Sequence, residues 1–410
     1  MSPAPPPAAA PTPGAWTTLA VTLAIQSLVS MAALILPVIA PLIAVSLGRP
    51  AGVLAGLFAA AVYFGAILSS LLSGALVPRL GAIRASQAGM AMCAVGLLCS
   101  SIAWLPAMLL GSVLIGLGYG PITPASSHLL MRTTPARSLS LMFSIKQTGV
   151  PMGGLLAAAI APALALWVGW QGVLWCVALA SLVLVAAAQP LRAALDADRV
   201  AGVRLAWASL ARPVRLVLSL PVLRRLAGCS FLFAIAQISV TAFLVTYLHE
   251  DMRMDLVRAG LLLSVAQAAG VVGRIAWGYV SDAWLGPRRT LTVLAVLMAL
   301  SGGATALLPS TAPIAVAVAV MVAFGASAVG WNGVFLAEVA RHAPPGLASA
   351  ATGGTLVFTF LGNVLGPALF GSAAALPGGF HAAYACLALP LAAAGWALYR
   401  TPALDRGRAG

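Results

Sequence analysis

The sequence predicts an all-α membrane protein: twelve transmembrane helices arranged as two pseudo-symmetric six-helix bundles. Three observations carry this. Of 410 residues, 61% are hydrophobic and only 7% charged, against roughly a quarter charged in water-soluble domains. The apolar residues fall in long runs, and about 20 consecutive apolar residues are needed to cross a bilayer. The arginines collect on alternate connections between those runs.

Twelve runs meet the length criterion. They cover 18–47, 52–77, 85–104, 108–131, 139–166 and 172–188 in the first half. The second half has 226–248, 256–281, 291–308, 313–337, 351–375 and 381–399. The runs are rich in Gly, Ala and Ser, which let helices approach closely where lipid offers no hydrophobic drive to associate. The chain has 28 prolines, many within the runs. In a membrane, neighbouring helices and polar side chains can satisfy the backbone groups that proline frees.

The formal charge of +14 would suggest nucleic acid in a soluble protein, but its distribution points to the bilayer. With alternating spans, seventeen arginines fall on the side of the termini. Only Arg49, Arg253 and Arg258 fall on the other. By the positive-inside rule both termini are expected in the cytoplasm, in a multi-pass protein of a bacterial inner membrane. Five cysteines (Cys93, Cys99, Cys176, Cys229, Cys386) lie in spans without metal-ligand spacing, so no metal or cofactor is expected. The Pro/Ala-rich N-terminus lacks the charged region of a signal peptide and reads as a disordered tail, 1–16.

One composition shift divides the rest. A 17–189 bundle and a 226–399 bundle flank an arginine-rich linker at 190–225, and 400–410 forms a tail. The linker's stretch around Leu205, Trp207 and Leu210 could be a basic amphipathic helix on the membrane surface or a solvated connection.

The halves resemble each other. After span 2 comes Gly74-Ala-Leu-Val-Pro-Arg79-Leu-Gly81. After span 8 comes Gly278-Tyr-Val-Ser-Asp282-Ala-Trp-Leu-Gly286-Pro-Arg288-Arg289. Span 5 carries Gly149-Val-Pro151 and span 11 carries Gly366-Pro367. Parallel six-helix repeats are one construction of secondary transporters, with the site between the halves. On these motifs the chain resembles the major facilitator superfamily over nearly its whole length. The loop after span 8 resembles that family's Gly-x-x-x-Asp-Arg-x-Gly-Arg-Arg motif, with one extra residue and no Arg after Asp282. The copy after span 2 has Pro78 in place of the Asp. Gly74, Arg79, Gly278, Asp282, Arg288, Arg289, Pro151 and Pro367 are therefore expected to act in packing and conformational change. The basic residues could pair with Asp282 or with helix C-terminal carbonyls.

Two cations fall inside spans, Lys146 in span 5 and Arg274 in span 8, with no carboxylate in the middle of any span. A charge at the helix centre costs at least ~2.5 kcal/mol on the lenient insertion scale. Each sits about seven residues from the terminus-side end, hence ~10 Å deep. The resemblance implies that helices 5 and 8 adjoin across a central cavity, so the two would face one space. An anion would relieve their repulsion, and the planar guanidinium suits a carboxylate. The alternatives are that Lys146 reaches the headgroups, or that Arg274 bonds helix carbonyls or Asp282. Gly273-Arg274-x-x-x-Gly278 also resembles helix 8 of monocarboxylate and oxalate–formate transporters. The latter carry a Lys in helix 11, which this chain lacks.

The other polar candidates are Gln26, Gln237, Tyr119, Asn332, Gln267 and Gln147. Buried amides often only bond neighbouring helices. The expected cargo is a small organic anion, a mono- or dicarboxylate, carried by rocking of the halves of a single chain, with protons a candidate coupling ion. The competing readings are an efflux carrier for hydrophobic compounds and a non-transporting membrane sensor. No phosphate-binding loop or nucleophile elbow suggests an enzyme.

Overall fold

The computed structural model describes residues 14–200 and 210–400. The expected N-terminal and C-terminal tails, and the stretch around Leu205 and Trp207, fall almost wholly outside these residues. The described residues form helices joined by short turns.

Span 1 is α1 (Ala15–Val38), continued after a break by α2 (Ala40–Leu47). Span 2 is α3 (Ala51–Leu80), and span 3 is α4 (Ala82–Ser100). Span 4 is divided into α5 (Leu105–Tyr119) and α6 (Ile122–Thr133) by Gly120-Pro121. Span 5 begins as α7 (Leu139–Gln147) and resumes as α8 (Gly149–Ala187), which also contains span 6. Gly169 separates the two spans with φ +70°, a conformation that favours glycine. The pieces on either side have 20 and 18 residues by position, or ~30 and ~27 Å, each enough to cross the hydrocarbon. Eleven continuous apolar stretches thus give twelve spans.

The linker contributes α9 (Arg192–Leu195) and α10 (Ala211–Ser219). Span 7 starts at Pro221, five residues before the apolar run. A proline at the first helical position is favourable because its missing N–H had no partner there. It comprises α11 (Pro221–Ile238), a wide turn, and α12 (Leu244–Glu250). Spans 8 and 9 are α13 (Leu256–Val280) and α14 (Pro287–Ala306). Span 10 is again divided, into α15 (Ile314–Ala328) and α16 (Asn332–His342), at the place matching the break in span 4. Spans 11 and 12 are α17 (Ala348–Ala374) and α18 (Gly379–Tyr399).

Glycines set the packing. A Cβ on Gly153 would run into the α1 backbone at Ser27 and Met31. One on Gly362 would meet Phe231 and Ala234 of α11. The Gly/Pro-bearing spans 5 and 11 therefore lie against spans 1 and 7, in matching positions of the two bundles.

The bundles meet on the basic face, where the linker and most arginines lie. A Cβ on Gly74 of α3 would be 2.8 Å from that of Ala350 on α17. Gly353 seats on Ser70 and Ser73, and Gly278 and Gly333 both seat on Ser144. Linker helix α10 packs its Pro213 beside Gly74 and Gly354, bridging both halves. The pairs of helices that touch extensively across the halves are α3 with α17, α6 with α17, and α7 with α13 and α16. These contacts close the basic side.

Candidate functional site

The breaks in spans 4, 5 and 10 bring the site together. A helix that stops inside the membrane leaves carbonyl oxygens without intrahelical partners. Two of these belong to Gln147, at the end of α7, and Val329, at the end of α15. Arg274 of α13 satisfies both. Its Nε donates to the Val329 oxygen at 2.8 Å and its Nη1 to the Gln147 oxygen at 2.5 Å. The partial negative charge at a helix C-terminus makes these good partners for a cation. Among the described residues no such bond is formed by Nη2. The side chain is 2% exposed.

Lys146, 1% exposed, does not reach for headgroups. Its Nζ donates to Gln26 Oε1 at 2.6 Å, Gln147 Oε1 at 3.1 Å and Thr123 Oγ1 at 3.2 Å. Thr123 also donates to Gln26 Oε1 at 3.1 Å, and Gln26 Nε2 donates to Ser30 Oγ at 3.0 Å. All three ammonium protons thus meet neutral oxygens. The two cations converge on one residue: Lys146 holds the side chain of Gln147, and Arg274 holds its backbone. Among the described residues no carboxylate pairs with either. The Tyr119 hydroxyl approaches Ser30 and Gln26 and faces the Arg274 charge.

The second half contributes a matching group. Gln237 of α11 accepts from Trp331 Nε1 at 3.3 Å and Asn332 Nδ2 at 3.2 Å, both at the break in span 10. The first half has Gln26 of α1 bonded to Thr123, just past the break in span 4. Gln267 lies two turns before Arg274 on α13, and its buried Oε1 makes no hydrogen bond. Beside Tyr119 is a cavity of about 380 Å³, counting space continuous with its mouth, lined from spans 1, 2, 4 and 5.

The motif residues of the two loops gather on the basic face, away from this centre. Asp282 does not bond the basic residues of its own loop. It crosses to the other half, accepting from the backbone N–H groups of Ser140 (3.1 Å) and Leu141 (2.7 Å) at the start of span 5. Arg341 of α16 completes its ion pair at 3.2 Å. Arg288 faces Glu338, which lies 3.6 Å from His342, while Arg79 and Arg289 are exposed. Pro151 sits in the first turn of α8 and Pro367 within α17.

Pro78 leaves the first half without a counterpart of Asp282, and the linker supplies acid nearby. Asp196 accepts from Ile83 N (2.7 Å) and Arg84 N (3.1 Å), capping α4. Burial pushes its carboxyl up to about 6, against the opposing pull of the Ile83 N–H. Asp198 pairs with His128 and Arg132, each at 2.6 Å. His128 is therefore hydrogen-bonded to Asp198 on the basic face.

Sequence reasoning did not single out Thr123, Tyr63 or Phe360. Thr123 follows Pro121 by two residues, so its nearness to a span break was the available signal. Tyr63 and Tyr119 of the first half both pack on Phe360 of the second, with ring centres 5.8 and 6.1 Å apart.

Comparison with known proteins agrees with the fold. A rat protein (Rattus norvegicus) named monocarboxylate transporter 13 is 29% identical over 338 residues, 79% of this chain and 73% of its own length. An uncharacterized MFS-type transporter of Mycobacterium tuberculosis is 25% identical over 313 residues, 75% of this chain and 68% of its own. The crystal structure of the human organic anion transporter MFSD10 superposes with a TM-score of 0.77 at 15% identity, covering 94% of this chain and all of that one. An outward-facing bacterial homologue of the iron transporter ferroportin gives 0.77 at 15% identity, over 94% and 98%. The model of the Major Facilitator Superfamily matches residues 21–367, and the chain belongs to that family.

Proposed function

We propose that this protein carries a small organic anion, a mono- or dicarboxylate, across a bacterial inner membrane by alternating access. The observation behind this reading is the pair of buried basic side chains, one from each half, joined through Gln147 and matched by no carboxylate among the described residues. Helix-end carbonyls offset part of the Arg274 charge, and neutral oxygens solvate Lys146. Two basic side chains nevertheless remain in a region where positive charge is costly. A bound carboxylate supplies the missing negative charge. Nη2 of Arg274 and the Tyr119 hydroxyl are the donors that face it, and Gln237, Asn332 and Gln267 are the polar groups the second half offers.

Transport follows from the architecture. The site lies where both halves contribute, so a rocking motion exposes it to one side and then the other. By the positive-inside rule the basic face is cytoplasmic, and its closure makes this the outward-facing state. Asp282 and the glycine contacts hold that closure. The similarity to a relative named a monocarboxylate transporter favours the same cargo class.

The test is counterflow in proteoliposomes with a panel of labelled carboxylates, with protein-free vesicles correcting for leak. Saturable exchange of a carboxylate, lost in Arg274→Gln, is the expected result. Resistance to apolar drugs on expression, without exchange of any carboxylate, would replace this reading with that of an efflux carrier.

A further inference from the structure

The cavity beside the cations narrows the cargo. The geometry points to a monocarboxylate with an apolar body, held with its charge at Arg274 and its tail in a side pocket of the first half. This inference rests on the organic-anion reading above.

Three observations support it. First, the pocket wall is mainly aliphatic: Ala33, Leu34, Ala59, Val62 and Val150. Second, its polar lining joins the cation network. Ser30 accepts from Gln26, which accepts in turn from Lys146. Tyr119 approaches the same two residues and faces Arg274. One small molecule can therefore put an anionic end near the cations and a body against the aliphatic wall. Third, the pocket sits at the plane where the halves meet. Tyr63 and Tyr119 line it, and both rest on Phe360 of the opposite half. When the halves rock, Phe360 must leave these rings, so the tail's surroundings change along with those of the charge.

The chemistry sets the preference. The aliphatic wall offers nothing to a second carboxylate or to a row of hydroxyls, and burying either without partners is unfavourable. Each methylene moved from water to an apolar site is worth about 0.8 kcal/mol, roughly fourfold in affinity. Three more carbons, from acetate to 3-methylbutanoate, should tighten binding by roughly 50-fold. The 380 Å³ counts open space at the mouth, so the enclosed part is smaller and suits one short branched chain or one ring.

Calorimetric titration of the purified full-length protein with acetate, 3-methylbutanoate, phenylacetate and succinate tests this. The expected order is phenylacetate and 3-methylbutanoate tightest, acetate weaker, succinate weakest. Ala59→Phe should lower the phenylacetate-to-acetate preference at least tenfold. Leu34→Ala, which enlarges the same pocket, should shift the preference toward phenylacetate. Acetate binding reports that each variant is folded. Equal affinity for acetate and phenylacetate, or a preference that neither variant moves, would overturn the pocket assignment while leaving a carboxylate carrier. If no acid of the panel binds and none is exchanged in the counterflow assay, the organic-anion reading falls with it.

Discussion

Arg274→Gln should separate a binding residue from a structural brace. In the brace view its worth is the two bonds to Val329 and Gln147. In the binding view its worth is the charge offered to an anion. For stability the terms oppose each other. Removing a mid-membrane charge relieves ~2.5–3.5 kcal/mol. Leaving two buried carbonyls unpaired costs ~1–3 kcal/mol each, of which the glutamine amide can restore one. The net is within ~2 kcal/mol of zero, so the unfolding temperature should move by only a few degrees. For binding the terms add. Unit charges 4 Å apart at an effective dielectric of 20 attract by ~4 kcal/mol before desolvation. Truncating one partner of a buried charge pair typically costs ~2–5 kcal/mol. Taking ~3 kcal/mol, affinity for the carboxylate should fall ~100-fold. Arg274→Lys, keeping the charge but unable to bridge both carbonyls, should lie between. Calorimetric titration and a thermal melt on the same samples give both numbers. Affinity unchanged within threefold in a folded Arg274→Gln protein would refute the reasoning and leave Arg274 as a brace.

Three further outcomes follow from the basic face. Asp282→Asn removes the Arg341 ion pair and weakens the cap on span 5. At ~2 kcal/mol for charge-assisted bonds, the equilibrium should shift ~30-fold toward basic-side opening. A cysteine placed at Ser349, which is buried at that seam, should label faster from the basic side, and unchanged labelling would contradict the role. Gly353→Ala drives a Cβ into Ser73 and the Ser70 backbone oxygen. Overpacking costs ~1–3 kcal/mol and acts only in the closed state, so the same labelling should rise and exchange should slow. The third outcome concerns pH. The folded Asp196 carboxyl titrates at about 6, above its ordinary value. Between pH ~4 and ~6 the folded state therefore holds a proton that the unfolded state has released, and stability should fall as pH rises through this window, by at most ~3 kcal/mol. In Asp196→Asn that slope should flatten, as read by thermal melts from pH 4.5 to 7.

The spans were legible because lipid leaves little choice. An apolar run of 20 residues can satisfy its backbone only as a helix, and arginine asymmetry then orders the loops. The glycine seams were legible for a related reason: Gly74 and Gly278 follow spans 2 and 8, one in each half, where only a small residue lets helices touch. Polar partnerships were not. Lys146 could be placed in a span from sequence, but its bonds to Gln26 and Thr123 join residues 120 and 23 positions away. Nothing local encodes them. Asp282 was expected to serve its own loop, because its neighbours there are basic; tertiary packing instead presents it with the free N–H groups opening span 5. Asp196 lies in the arginine-rich linker, and its capping of α4 depends on how α9 folds back. Glu338 sits near the basic end of its span. The closed interface buries it all the same.

The most direct measurement is the position of the cargo. A crystal of the protein grown with a bromine-substituted monocarboxylate would locate the ligand by its anomalous signal. The account predicts one bromine peak in the aliphatic side pocket, with the carboxylate within hydrogen-bonding distance of the Arg274 guanidinium. A carboxylate bound elsewhere, with Arg274 and Lys146 holding only protein oxygens, would contradict it.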